Sequence, residues 1–318
     1  MRKYIVDFTF NQVLNIKLFL SENNLIFNKY RIELFKENEW QDGDINEFLQ
    51  SKIVQHMKII SEPFGEINFL RLNSSMSRLY SSELNNTLVL DFINMIMLFS
   101  EQNILFGTAL ENVDRILQNS DNLDSWKRFD RQIPYNVVYI LSDFYKYTIT
   151  PSDKIISIES LPGHFHYMKI DNKLWFGSCW QMYYAPIYYK YIPKPLWDDF
   201  NDCFEHTVFE NGLRKIVLFE NPEDFDLDEN RAKQWSFRRR LGIDSIAHEL
   251  TKSSIRVEPD YLPVLITKLD CKIGQTKVTR FLTKDHQLAM TEDLVEFMEV
   301  KEYLEDGITV VDEFMIPW

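Results

Sequence analysis

The reading of this chain turns on residues 161–197, LPGHFHYMKIDNKLWFGSCWQMYYAPIYYKYIPKPLW. Between Phe165 and Trp197 this stretch holds eleven aromatic residues. Large rings bury the most apolar surface per side chain, so the stretch is either the main core or a wide contact surface. Its pattern separates the two. From residue 164 to 182 the rings fall on both faces of an extended chain, with a turn at Asp171 and Asn172, which predicts two strands buried on both sides. From residue 183 to 197, Pro186, Pro193 and Pro195 predict a non-helical loop, held against the body at little entropic cost. Tyr183, Tyr184, Tyr188, Tyr189, Tyr191 and Trp197 pair an apolar body with a polar tip and are the expected anchors of a contact surface there.

Strands and helices mix on either side of this stretch. Residues 4–10, YIVDFTF, read as a strand. Residues 28–35 alternate Tyr30, Ile32 and Leu34 with Arg31 and Glu33, the period of a half-buried strand. Asp44 stands at an N-cap with Glu47 in a capping-box position, and Ile45, Phe48, Leu49, Ile53, Met57 and Ile60 follow at helical spacing. Residues 66–72 and 87–99 are apolar runs compatible with either a strand or a buried helix. Leu110, Val113, Ile116 and Leu117 suggest a helix, and residues 136–141 a strand.

Further on, residues 214–219 alternate as a strand and Asp228 is placed to cap a helix that ends in Arg238, Arg239 and Arg240, with Gly242 closing it. Strands at residues 264–269 and 277–282, a helix at 292–304 and a strand at 308–311 complete the pattern. The arrangement predicts an α+β fold with a mixed or largely antiparallel sheet and packed helices, without the strict alternation of a doubly wound sheet. A short polar pause, TITPSDK at residues 148–154, is the candidate boundary between two sub-domains, 1–150 and 151–318, with a single domain as the alternative.

Composition limits function. The 318 residues carry a net charge of −13 and three cysteines with no CxxC spacing. That pattern fits a reducing compartment better than a disulfide frame. The N-terminus meets Asp7 before any signal-peptide apolar region, which predicts a cytoplasmic protein. The run at residues 88–99 is too short to cross a bilayer. Residues 201–230 contain nine acids against two bases, and residues 292–313 nine acids against Lys301 alone. Such a surface repels nucleic-acid phosphate and anionic lipid and attracts a basic protein.

Local motifs for chemistry are weak. His164 and His166 share one face of an extended segment, a partial metal site to which His206 and Glu205 would have to be added in space. The run from Asp224 to Glu229 resembles a calcium loop but has Glu229 where glycine is required. Asp260 and Asp270 lie ten residues apart, about 33 Å along a strand, too far to share a metal ion. The nine glycines form no phosphate-binding loop, and no cofactor is implied. The three consecutive arginines fan around a helix and are expected to form a solvated face.

The expectation is an acidic cytosolic protein-binding module, most concretely an immunity or inhibitor protein that neutralises a basic bacterial toxin or effector. The tyrosine loop would supply the anchors, and Asp224, Asp226, Asp228 and Glu229 would steer the encounter. The alternative is a hydrolase with a dispersed site built from His164, His166, His206 and Glu205, or from His248 and Glu249, with or without a metal. Homodimerisation is a third expectation.

Overall fold

Strand β1 (Tyr4–Phe10) is buried at every position, on both of its faces, and the first half of the chain is arranged to cover it. After it come α1 (Ile16–Glu22), β2 (Lys29–Lys36), β3 (Glu39–Asp42), α2 (Ile45–Gln50), β4 (His56–Glu62), β5 (Gly65–Arg71), β6 (Ser77–Leu84), α3 (Asn86–Ser100) and β7 (Ile104–Glu111). The computed structural model describes residues 3–22, 29–51, 53–114, 168–171, 174–243, 245–246, 249, 262–268, 271–290 and 293–318. The architecture is α+β, helices with large antiparallel sheets.

Strands β6 and β7 flank β1, each antiparallel to it, so they run parallel to one another and need the crossover that α3 provides. Asn85 starts that helix by accepting from the backbone N–H groups of Thr87 (3.1 Å) and Leu88 (3.0 Å). Val89, Phe92, Ile93 and Ile96 are buried, while Asp91 and Asn94 face outward. That three-and-four spacing settles the apolar run as a helix. On the other side of the sheet's axis, β6, β5, β4, β2 and β3 follow as antiparallel neighbours.

The second half of the chain adds β8 (Met168–Asp171), β9 (Leu174–Phe176), β10 (Gln181–Tyr184), α4 (Lys194–Asp198), β11 (Glu205–Val208), β12 (Arg214–Val217), α5 (Asp228–Arg240), β13 (Val264–Thr267), β14 (Thr276–Leu282), β15 (Phe297–Tyr303) and β16 (Val310–Pro317). Strands β8 and β9 pair antiparallel as a two-stranded ribbon, and Asn172 of the expected turn lies outside the described residues. Strand β10 joins β7, and the large sheet runs β11-β12-β10-β7-β1-β6-β5-β4-β2-β3. A second sheet has the order β13-β14-β15-β16, antiparallel throughout.

The chain divides into two compact units, and the division does not fall at one point in the sequence. One unit comprises Met1–Asn112, Cys179–Ala185 and Thr207–Ile216; the other comprises Val113–Ser178, Pro186–His206 and Val217–Trp318. The polar pause at residues 148–154, the strand expected at 136–141 and most of the helix expected around 110–117 lie outside the described residues.

Three local expectations are corrected. The helix opened by Asp44 forms, with Asp44 accepting from the Glu47 N–H at 2.9 Å, but it stops at Gln50. Beyond it, residues 56–62 bury alternate side chains as β4, because pairing with β2 and β5 favours period two over the helical spacing of Met57 and Ile60. Residues 297–303, expected in a helix, form β15 for the same reason, since β14 and β16 pair with it on both edges. Asp228 is the first residue of α5, with Leu227 at the N-cap.

Within the first unit, Phe8 lies opposite Gly107 across the β1–β7 pair, and its ring also meets Tyr183 at 5.1 Å. The ring occupies the space a Cβ at Gly107 would need, leaving only 2.4 Å to its nearest atom. Gly107→Ala is therefore expected to lower stability by about 1–3 kcal/mol through overpacking, measured as a lower urea midpoint with an unchanged slope.

Candidate protein-docking surface

The second unit's four-stranded sheet loses burial strand by strand. Val264, Ile266, Val278, Phe281 and Leu282 are core, β15 is partly covered, and β16 is mostly exposed along its length. Val310, Phe314, Met315 and Ile316 of β16 are each 36–43 % exposed. Alternate residues of a strand point to opposite faces, so Phe314 and Met315 show that β16 is open on both. Among the described residues it is also the sheet's last strand. Ile273, 68 % exposed, adds apolar surface nearby, and the Lys272 ammonium lies 5.7 Å from the centre of the Phe314 ring.

Acidic groups frame this strand. Glu313 reaches Lys301 at 2.9 Å, and Lys301 also meets Glu299 at 3.3 Å. Burial alone would lower the Lys301 pKa, but Glu313 and Glu299 together hold it above its ordinary value. Asp306, at the turn between β15 and β16, bonds Thr309 through both its hydroxyl and its backbone N–H, and the Ile308 N–H as well, which lowers its pKa. The same turn is fixed by Gly307, at φ +65°, where a Cβ would fall 1.9 Å from the Tyr189 carbonyl oxygen. The Lys194 N–H donates to the Gly307 carbonyl at 2.8 Å. The strand therefore starts from a pinned turn.

Glu302 anchors the other side. Its carboxylate is buried and accepts from the Lys272 (2.8 Å), Ile273 (2.9 Å) and Gly274 (2.9 Å) backbone N–H groups. These bonds hold its pKa below the ordinary carboxyl value.

The expected tyrosine anchors are elsewhere. Tyr183 and Tyr184 belong to β10, with Tyr184 against Phe106 at 5.3 Å. Tyr188 and Tyr189 lie in a 3₁₀ turn, Pro186–Lys190, and Trp197 lies in α4. All of these, with Tyr191, are buried. Tyr188 packs between Phe176 (5.4 Å) and Trp197 (6.5 Å), and the Trp197 Nε1–H donates to the Ile192 carbonyl at 2.9 Å. The surface-loop expectation is corrected: each polar tip is compatible with burial, and the rings are core. The prolines begin helical turns rather than preventing them, since Pro186 opens the 3₁₀ turn and Pro195 sits in the first turn of α4.

Of the acids expected to steer a partner, Asp228 and Glu229 are exposed, while Asp224 and Asp226 are half-buried. Their segment is tied down by buried Phe225, which lies 5.0 Å from the Arg231 guanidinium, and by the Asn230 amide donating to the Asp224 carbonyl at 2.7 Å. Arg231 in turn pairs with buried Asp114 at 2.7 Å. Arg238 and Arg239 are buried as well, which corrects the expectation of a solvated arginine face; α5 is enclosed on more than one side.

His164, His166 and His248 lie outside the described residues. His206 and Glu205 are on β11, and His206 Nδ1 is 3.0 Å from the Phe200 carbonyl. Among the described residues no group of three His, Cys, Asp or Glu side chains is placed to hold a metal ion. No described helix is long and apolar enough to cross a membrane.

The first unit brings together polar groups that no sequence spacing announces. Asp42, Glu33, Lys58, Asn68, Tyr80 and Asp7 form one cross-strand row on one face of the large sheet. Lys58 lies 3.4 Å from Glu66 and 4.3 Å over the Trp40 ring. His56 meets the Asn68 amide oxygen at 3.2 Å, and burial lowers its pKa. Lys58 also approaches Glu33 at 3.9 Å, and Asp7 pairs with Arg78. A cleft of about 880 Å³ in the same unit is bordered by Lys17, Arg31, Asp42 and Asp44 over Leu20 and Ile32.

No protein-family profile, curated protein or solved structure matches the chain.

The Glu302 clamp makes a pH-dependent contribution. Its folded pKa lies below the unfolded value near 4.5, so the contact stabilises the fold fully above that value and is lost as pH falls through the depressed one. Glu302→Gln should be less stable at pH 7, because its NH₂ group opposes backbone donors. It should also lose less stability than the native chain between pH 7 and pH 3, as read by urea titration at each pH.

Proposed function

We propose that this chain is a protein-binding module that receives a basic partner on the acidic, apolar ribbon formed by β15 and β16. The observation that carries the reading is β16 itself: an ordered strand exposing Phe314, Met315 and Ile316 within a segment of nine acids and one base. Apolar contacts at the centre of a patch exclude water, and charge around them guides the encounter and rejects partners of like charge. A contiguous apolar strand is otherwise a liability that proteins avoid exposing. Asp228 and Glu229, exposed in the second unit, add to the same negative field.

The partner class that suits this surface is a basic toxin or effector whose cationic face is covered on binding, making the chain an immunity-type inhibitor. With the native chain immobilised, a strongly basic protein should be retained from bacterial lysate at low salt and released as salt rises. The Asp312→Lys, Glu313→Lys double variant should retain it about tenfold less. Expressed alone, the captured protein should arrest growth, and co-expression of the chain should restore it. Retention insensitive to both salt and charge reversal counts against the reading.

A further inference from the structure

The backbone of β16 indicates how such a partner would dock. The Trp318 N–H donates to the Glu296 carbonyl at 2.9 Å, and Phe297 stands opposite Pro317. In an antiparallel pair, residues alternate between bonding the neighbour and pointing their backbone groups away from it. Counting back from Trp318, residues Ile316, Phe314 and Asp312 bond β15, whereas Pro317, Met315 and Glu313 face the open edge. Pro317 has no N–H to offer, so it closes that end of the edge. The register irregularity at Glu302/Tyr303, opposite residues 310–312, closes the other. Between these limits, the N–H and C=O groups of Glu313 and Met315 point outward, with no strand beyond them among the described residues.

We propose that β16 is a strand-addition site, on which one short extended segment of a basic protein pairs with the free backbone of Glu313 and Met315. This rests on the reading of the same ribbon as a docking surface for a basic partner. The side chains define the segment. Asp312 and Glu313 occupy one half of the open edge, and Phe314, Met315 and Ile316 the other. An added strand therefore carries basic residues at one end and apolar residues at the other, with backbone bonds supplying affinity and the flanking side chains specificity. A second copy of this chain fits less well. It would bring another net charge of −13, and an antiparallel copy pairing Glu313 with Met315 would lay its own acids over this strand's apolar half and bring no basic residue to Asp312 and Glu313.

The test uses the full chain and an eight-residue peptide, lysine-rich in its first half and alternating valine and threonine in its second. The comparison peptide has the same sequence with alternate backbone nitrogens methylated. The expected result is saturable binding of the unmodified peptide, protection of the Glu313 and Met315 amides from hydrogen exchange, and at least about tenfold weaker binding of the methylated peptide. Met315→Pro removes an outward N–H that β15 does not use, so it should keep the native circular dichroism and lose the peptide. Equal binding of both peptides would show docking by side chains alone, overturning strand addition while leaving the docking surface in place. Binding unaffected by Asp312→Lys, Glu313→Lys would instead overturn the charge-guided reading. Failure of the unmodified peptide to bind, or protection of these amides by self-association without peptide, overturns the proposal.

Discussion

A strand buried on both faces has to be covered twice, and β1 places an aspartate in the middle of that requirement. Asp7 is 5 % exposed and is held by a two-pronged contact with Arg78 of the adjacent strand, Nε to Oδ1 at 2.7 Å and Nη2 to Oδ2. Such a fork matches the carboxylate's geometry and holds both side chains in one register. Removing Arg78 would leave the Asp7 carboxylate buried and uncompensated, so the pair ties the β1–β6 pairing to one alignment. The apolar face of the same strand, carrying Val6, Phe8 and Phe10, then defines what the opposite layer has to fill.

The aromatic segment answers that demand by being shared. Residues 179–185 enter the first unit and residues 186–197 the second. Tyr183 meets Phe8 in one unit, and Tyr188 meets Phe176 and Trp197 in the other. With these rings used as core, the exposed apolar surface of the second unit includes the C-terminal ribbon. There the Glu302 carboxylate holds the segment at residues 272–274 through three backbone bonds, and Gly307 fixes the turn between β15 and β16. An edge strand fixed at its turn loses little further backbone freedom on binding, which favours a partner that pairs with it.

Local pattern alone was enough to recognise the fold class and several elements. YIVDFTF, the alternation around Ile32 and Leu34, the Asp44 cap, the arginines ending α5 and Gly242 at φ +64° each encode their conformation within a few residues. The charge of the C-terminal segment was equally visible. Strand pairing decided the rest. The segments at 56–62 and 297–303 carry spacings that suit a helix, and they became strands because neighbouring strands offered hydrogen bonds on both edges. Tyrosine patterns do not reveal whether a polar tip will meet solvent or a partner inside, so the burial of Tyr184, Tyr188 and Tyr191 followed from packing. The polar row from Asp42 to Asp7 and the open edge of β16 exist only once strand order is set, because strand order decides which side chains become neighbours and which backbone groups are left unpaired.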